Sequence, residues 1–267
     1  MLKSIWNSLF VETFHRIESE KETGNALDKK VIIILMVSAF SLLFIRFLGD
    51  VRFVISGLES WSLVSLAVWI EDLQRFFPNY RLYQLGFWMF VSVFFYAVIP
   101  LLTIKFILKE RVTNYGLSTA GVFKSYKIYL LFLAVMIPIV IWVSTHDSFQ
   151  AKYPFYNPTE STLWPNFFLW ECLYLAQFFG LEFFFRGFML HGLKKKFGYY
   201  SIWVMMVPYM MIHFRKPMPE AIAAIFAGII LGTLSLKSKS VWLGVAIHFS
   251  VAILMDFMAL YWKGFFE

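Results

Sequence analysis

The chain has 267 residues, of which 60% are hydrophobic, 21% aromatic and only 15% charged. Soluble domains carry about 25% charged residues, so this chain cannot coat a water-facing surface. An ordinary soluble enzyme, a disordered chain and a nucleic-acid-binding domain are all excluded, and the formal net charge of +7 is instead what loops facing an anionic membrane surface would carry.

The single cysteine, Cys172, lies in an apolar run, which rules out an internal disulfide and a Cys-based zinc cage and reads as a small packing residue.

In the first thirty residues Ile5, Trp6, Leu9, Phe10 and Phe14 recur at helical spacing, among the acids Glu12, Glu18, Glu20 and Asp28. A cleaved signal peptide lacks such acids. The expectation is a retained amphipathic helix on the inner face of the membrane, with packing on the protein itself as the competing reading.

Apolar runs long enough to cross a bilayer, about 20 residues each, follow in order. They are Val31 to Leu48, Leu85 to Leu108, Tyr126 to Val143, and Pro165 to beyond Leu190. Three more runs cover Tyr199 to Ile212, Pro219 to Leu236 and Val241 to Trp262. Ser60 to Ile70 is apolar but short, suited to a re-entrant or interfacial helix. The fold class expected is all-α, a polytopic membrane helix bundle of seven or eight transmembrane helices.

Basic residues set orientation. Lys3, Arg16, Lys21, Lys29 and Lys30 precede the first span. Lys105, Lys109, Arg111, Lys124 and Lys127 follow the second, and Lys194, Lys195 and Lys196 follow the fourth. The connector after the third span, Ser144 to Trp164, has only Lys152. This alternation places the N-terminus in the cytoplasm, and the expected location is a bacterial inner (cytoplasmic) membrane.

Ionisable residues at membrane depth are costly and mark function. The fourth span holds Glu171, Glu182 and Arg186, the fifth ends at His213, Glu220 opens the sixth, and the seventh holds His248 and Asp256. Glu182 and Arg186 are spaced i, i+4 and can pair on one helix face, which also suits a purely structural strut. His213 precedes a break at Pro217, where a histidine commonly caps a helix. At about 1.5 Å per residue, Glu182, His213 and His248 all fall in one slab of the membrane, on three helices. That level, holding two histidines and several carboxylates, reads as a buried polar chamber.

Three segments carry a resemblance. They are Leu181-Glu182-Phe183-Phe184-Phe185-Arg186-Gly187, Tyr209-Met210-Met211-Ile212-His213, and the stretch beginning at His248. In order and spacing they resemble the EExxxR, FxxxH and HxxxN/D motifs of the CPBP family, also called the Abi or type II CAAX prenyl endopeptidase family of intramembrane proteases. Phe226 to Gly232, Ser240-Val241-Trp242 and Tyr115-Gly116-Leu117-Ser118 are similar to family text as well. The resemblance covers Pro165 to about Trp262, and implies three segments: a cytoplasmic amphipathic segment 1–30, N-terminal transmembrane helices and loops 31–164, and a catalytic core 165–267.

Two places depart from the family pattern. Leu181 stands where the family has the first glutamate, the one thought to activate water, and Ala252 stands where the third motif has its polar partner. Glu220, beyond Pro217-Met218-Pro219, and Asp256, one turn after Ala252, are candidate substitutes.

What the resemblance implies is an intramembrane endopeptidase that uses water as nucleophile and cuts near the tethered end of a membrane-bound protein or peptide. Glu182 or Glu220 would act as base, with Arg186 holding Glu182 ionised. His213 would orient water and His248 would donate to the oxyanion, while Asp256 would orient His248 or meet substrate. No cofactor is required; a zinc version would use His213, His248 and Glu220 as ligands. A non-catalytic immunity or scaffold relative and a small proton-relay transporter are the competing readings. The partners expected are the substrate and the lipid bilayer, with no nucleic acid and the oligomeric state open.

Overall fold

The computed structural model describes residues 5–21, 28–119, 122, 126–159 and 163–266. Residues 1–4 and 22–27 of the N-terminal segment lie outside the described residues, as does Lys124. Among the described residues all regular structure is helical, apart from one isolated antiparallel bridge between Leu117 and Ser240.

In chain order the helices are α1 (Glu12–Ser19), α2 (Lys29–Leu48), α3 (Val51–Ser60), α4 (Val64–Asp72) and α5 (Tyr80–Ile107). Next come α6 (Tyr126–Ser144) and α7 (Asn166–Glu182). A π-helical stretch, Phe183–Met189, joins α7 to α8 (Leu190–Phe197). The set closes with α9 (Ser201–Met211), α10 (Met218–Ser238) and α11 (Trp242–Trp262).

Among the described residues six helical runs are long and apolar enough to cross a membrane, where seven or eight spans were expected: α2, α5, α6, the run from α7 to α9, α10 and α11. The run from α7 to α9, 46 residues long, holds both the fourth and the fifth expected spans. The Tyr199 to Ile212 segment yields the 11-residue α9, about 16 Å long at 1.5 Å per residue, roughly half the hydrocarbon thickness. The Ser60 to Ile70 segment yields the nine-residue α4, with Val64, Leu66, Val68 and Trp69 exposed.

Burial sorts these helices by position. In the apolar 18-residue stretch of each, 61% of the residues are buried for the α7 to α9 run, against 22% for α2 and 17% for α6. The run carrying two of the three motifs is therefore the centre, and α2 and α6 are its outer staves. The main apolar core joins Ile34 of α2, Tyr96 and Ile104 of α5, Phe183 to Phe185 and Phe188, Ile202 and Met205 of α9, and Leu236 of α10. At Gly198, φ of +56° breaks the helix and turns α9 back onto the π-helical stretch.

The N-terminal helix packs on the protein rather than lying apart on a membrane face. Leu9, Thr13 and Ile17 are buried, and Phe14 stacks on Tyr199 at 4.8 Å. Arg16 Nη2 donates to the Leu236 carbonyl at 2.7 Å, satisfying an end-of-helix acceptor on α10. Trp6 and Val11 stay exposed.

The loop after α5 is a second clamp. Gly116 adopts φ of +82°, which favours glycine. Its carbonyl accepts from Val241 N at 2.9 Å at the start of α11. Gly187 lets this loop approach, since a Cβ there would stand 2.6 Å from the Tyr115 carbonyl oxygen. Beside it, Lys30 Nζ lies 2.9 Å from both Glu110 carboxylate oxygens, and the Tyr115 hydroxyl donates to Glu110 at 2.8 Å.

Two outcomes follow. Gly187→Ala forces backbone to move and is expected to cost about 1–3 kcal/mol, lowering the thermal midpoint of the detergent-solubilised protein. Gly57→Ala, with open space around it, leaves the midpoint unchanged or higher. Partial burial pushes the Glu110 carboxyl up, but the hydrogen bonds from Lys30 and Tyr115 outweigh it and hold the group below its ordinary 4.5. A lowered carboxyl stabilises the fold above its unfolded value, and that contribution is lost as pH falls through the folded value. Acid titration of unfolding is therefore expected to be shallower in Glu110→Gln between the two values.

Candidate active site

The site grows from the antiparallel pairing of α7 with α11. Trp170 of α7 meets Asp256 of α11, Phe178 meets His248, and Glu182 meets both His248 and Gly244. Trp170, Tyr174 and Phe178 recur one turn apart and stack at 4.7 and 4.4 Å. That aromatic ladder fixes the register. Its last ring lies parallel to His248 at 5.5 Å and 6°, setting the plane of the imidazole.

Glu182 is the hub. Its side chain is 1% exposed and that of Arg186 0%. Arg186 Nη1 lies 2.8 Å from Glu182 Oε1, as their i, i+4 spacing predicts. His248 Nδ1 lies 2.7 Å from the same oxygen. Gly244, one turn before His248, completes the cradle: a Cβ there would collide with Glu182 Oε2. The π-helical stretch begins immediately after Glu182 and contains Arg186, a local form that recurs at functional sites.

The second motif meets the same group through a residue that sequence reasoning assigned no role. The Tyr209 hydroxyl lies 2.9 Å from His248 Nε2, and its ring lies under the Arg186 guanidinium, 3.8 Å from the centroid. Its backbone also holds the second histidine. The last carbonyls of a helix lack helical partners, and the Tyr209 carbonyl of α9 accepts from His213 Nδ1 at 2.9 Å. His213 is thus a helix cap through one nitrogen. A proton fixed on Nδ1 by this bond leaves Nε2 as an acceptor. The readable signal for Tyr209 was the motif itself, which has Phe where this chain has Tyr.

The structure brings Glu182, Arg186, Tyr209, His213 and His248 together. It does not bring Glu220 or Asp256 into hydrogen-bond contact with that group. The Glu220 carboxylate accepts from the Tyr153 hydroxyl at 2.6 Å and from Lys216. Tyr153 comes from the connector after α6, which is tied down rather than free: Lys263 donates to the Tyr153 carbonyl at 2.9 Å. Asp256 is fully buried and accepts from Trp170 Nε1 at 2.8 Å, two turns along α11 from His248.

Leu181 is buried in the main apolar core and Ala252 in a second core beside Tyr174 and Phe178. Both departures from the family motifs are therefore filled by packing.

Of the three zinc ligands considered, His248 has Glu182 beside Nδ1 and the Tyr209 hydroxyl beside Nε2, and Glu220 is engaged by Tyr153 and Lys216. Among the described residues no group of three or more His, Cys, Asp or Glu converges as a metal site.

No curated protein and no solved structure matches the chain. A family described as type II CAAX prenyl endopeptidase Rce1-like matches residues 162–254. The matched segment starts just before α7 and ends within α11, so it contains every residue of the cluster just described. The chain is an integral membrane protein whose residues 162–254 are similar to the type II CAAX prenyl endopeptidase Rce1-like family of proteases, the CPBP family that its three motifs resemble.

Proposed function

We propose that the chain is an intramembrane endopeptidase that hydrolyses a peptide bond near the membrane-tethered end of a protein substrate. The observation that carries this reading is the 2.7 Å contact between Glu182 and His248 inside an otherwise apolar bundle. A carboxylate beside one imidazole nitrogen fixes the tautomer and raises the basicity of the other, the arrangement of a general acid–base pair.

Glu182 is then the carboxylate that orients His248, its Oε1 lying 2.8 Å from Arg186 Nη1 and 2.7 Å from His248 Nδ1. Arg186 balances its charge. Proton traffic leaves through the far nitrogen of His248. His213 keeps its Nδ1 on the Tyr209 carbonyl and turns Nε2 to the attacking water. Glu220 and Asp256 lie outside this chemistry; Glu220, with Lys216 beside it, bears on how the substrate enters. The N-terminus faces the cytoplasm of a bacterial inner membrane, as the alternation of basic loops implies.

One observation favours a second reading. Leu181, at the place of the family's water-activating glutamate, is buried in the apolar core. That suits a non-catalytic relative that binds a tethered peptide in the same chamber, as an immunity or scaffold protein would.

The two readings separate in one assay. The purified full-length protein in liposomes is offered a prenylated CAAX peptide and an acylated peptide. Cleavage of either supports the peptidase; binding without cleavage of both supports the scaffold. In the peptidase, Glu182→Gln, His213→Ala and His248→Ala are each expected to lower kcat/KM by about 10²- to 10⁴-fold, the range of general acid–base catalysis. Glu220→Ala is expected to act mainly on KM. Full activity in all four variants would overturn the reading.

A separate outcome concerns Gly244. Gly244→Ala pushes the Glu182 carboxylate off His248 and is expected to lower kcat at least tenfold, since small misplacements of catalytic groups cost about 10²-fold. Ala252→Gly, on the same helix and outside the cluster, serves as the control.

A further inference from the structure

We propose that Tyr209 is a further catalytic residue of this site, its phenol carrying the proton between the attacking water and His248. The inference rests on the peptidase reading of the Glu182–His248 pair and names the group through which that pair acts.

Three observations lead to it. With the Glu182 carboxylate 2.7 Å from Nδ1, the His248 proton belongs on Nδ1 and the lone pair on Nε2. The group at Nε2 is the Tyr209 hydroxyl, at 2.9 Å, so the phenol donates to the imidazole. The phenol thus covers Nε2, and a proton from water reaches that nitrogen through the phenol oxygen, which keeps a lone pair.

The second observation is Leu181. It is buried in the apolar core that also contains Tyr209, at the place where the family motif has the glutamate thought to take this proton. A second proton acceptor is needed, and the chain Glu182–His248–Tyr209 supplies one.

The third is the position of the phenol. Its ring centroid lies 5.1 Å from that of His213 and 6.2 Å from that of His248, so it packs against both imidazoles. Arg186 lies over its face at 3.8 Å, and a cation there favours charge building on the ring oxygen during transfer.

The step balances. Water oxygen forms a bond to the carbonyl carbon, and the C=O π pair moves to the carbonyl oxygen. The water proton passes to the Tyr209 oxygen as the Tyr209 proton passes to His248 Nε2, leaving an imidazolium facing the Glu182 carboxylate. On collapse the C–N bond breaks, its electron pair goes to nitrogen, and the proton returns from His248 through Tyr209 to the leaving amine. One water is consumed, one acid and one amine are released, and all three side chains regain their starting states.

The test is Tyr209→Phe, which removes one oxygen and restores the residue of the family motif. With the wild-type protein cleaving a prenylated CAAX or acylated peptide in liposomes, the variant is expected to lose at least 100-fold in kcat while KM stays within threefold. Retention of kcat within threefold, alongside inactive His248→Ala, would overturn the relay and leave the peptidase reading standing. Wild-type protein that cleaves neither peptide would overturn both.

A second measurement covers loss of folding in Tyr209→Phe. 3-Fluorotyrosine placed at position 209 keeps the hydroxyl and makes it more acidic. The kcat–pH profile is then expected to move toward lower pH; an unmoved profile would overturn the relay.

Discussion

A carboxylate and a guanidinium, both out of reach of water, share one apolar bundle, and the rest of the molecule is arranged around that fact. Burying either ion alone costs several kcal/mol even after relaxation, and removing one partner from such a pair costs about 3–5 kcal/mol. Glu182 and Arg186 are 1% and 0% exposed. They persist because the helix places them one turn apart, α11 brings His248 to the same oxygen, and Gly244 leaves room for the other. A stabilising bundle could have used leucines here. The polar cluster is a cost that the surrounding packing has to offset.

The surrounding architecture keeps that cluster rigid. The aromatic ladder from Trp170 to Phe178 sets the register of α7 against α11 and the plane of His248. The turn at Gly198 returns α9 to the π-helical stretch, which delivers Tyr209 to His248 and Arg186. The Tyr115–Leu117 loop pins the start of α11 from the other side. These are contacts between elements distant in sequence, so the geometry of the site depends on packing throughout the bundle. Two further polar groups are resolved independently of it: Asp256 by Trp170, and Glu220 by Tyr153 and Lys216. Each has its own partner because a buried carboxylate must find one.

Much of the fold was legible in the chain because the bilayer imposes a strong, one-dimensional rule: about 20 apolar residues per crossing. That rule placed the long helices well. It left the count open where apolar runs form shorter helices, as in α4 and α9, since hydropathy does not reveal where a helix stops. The N-terminal helix shows a related limit. Its apolar stripe of Leu9, Phe10 and Phe14 is equally suited to lipid or to protein, and the choice for protein was made by Tyr199 and the end of α10.

The sequence by itself determined that the chain lives in a membrane, that Glu182 and Arg186 pair, and that two histidines lie at their level. It did so because helical spacing and the cost of burying charge act locally. Only the tertiary structure decided which carboxylate meets which histidine. Glu220 and Asp256 were plausible by proximity along the chain, yet both turn to partners from other elements, Tyr153 and Trp170. Tyr209 had no assigned role in the sequence beyond opening the second motif, and the return of α9 put its hydroxyl on His248. A hydroxyl's partner depends on three-dimensional direction, and no spacing along one helix encodes it.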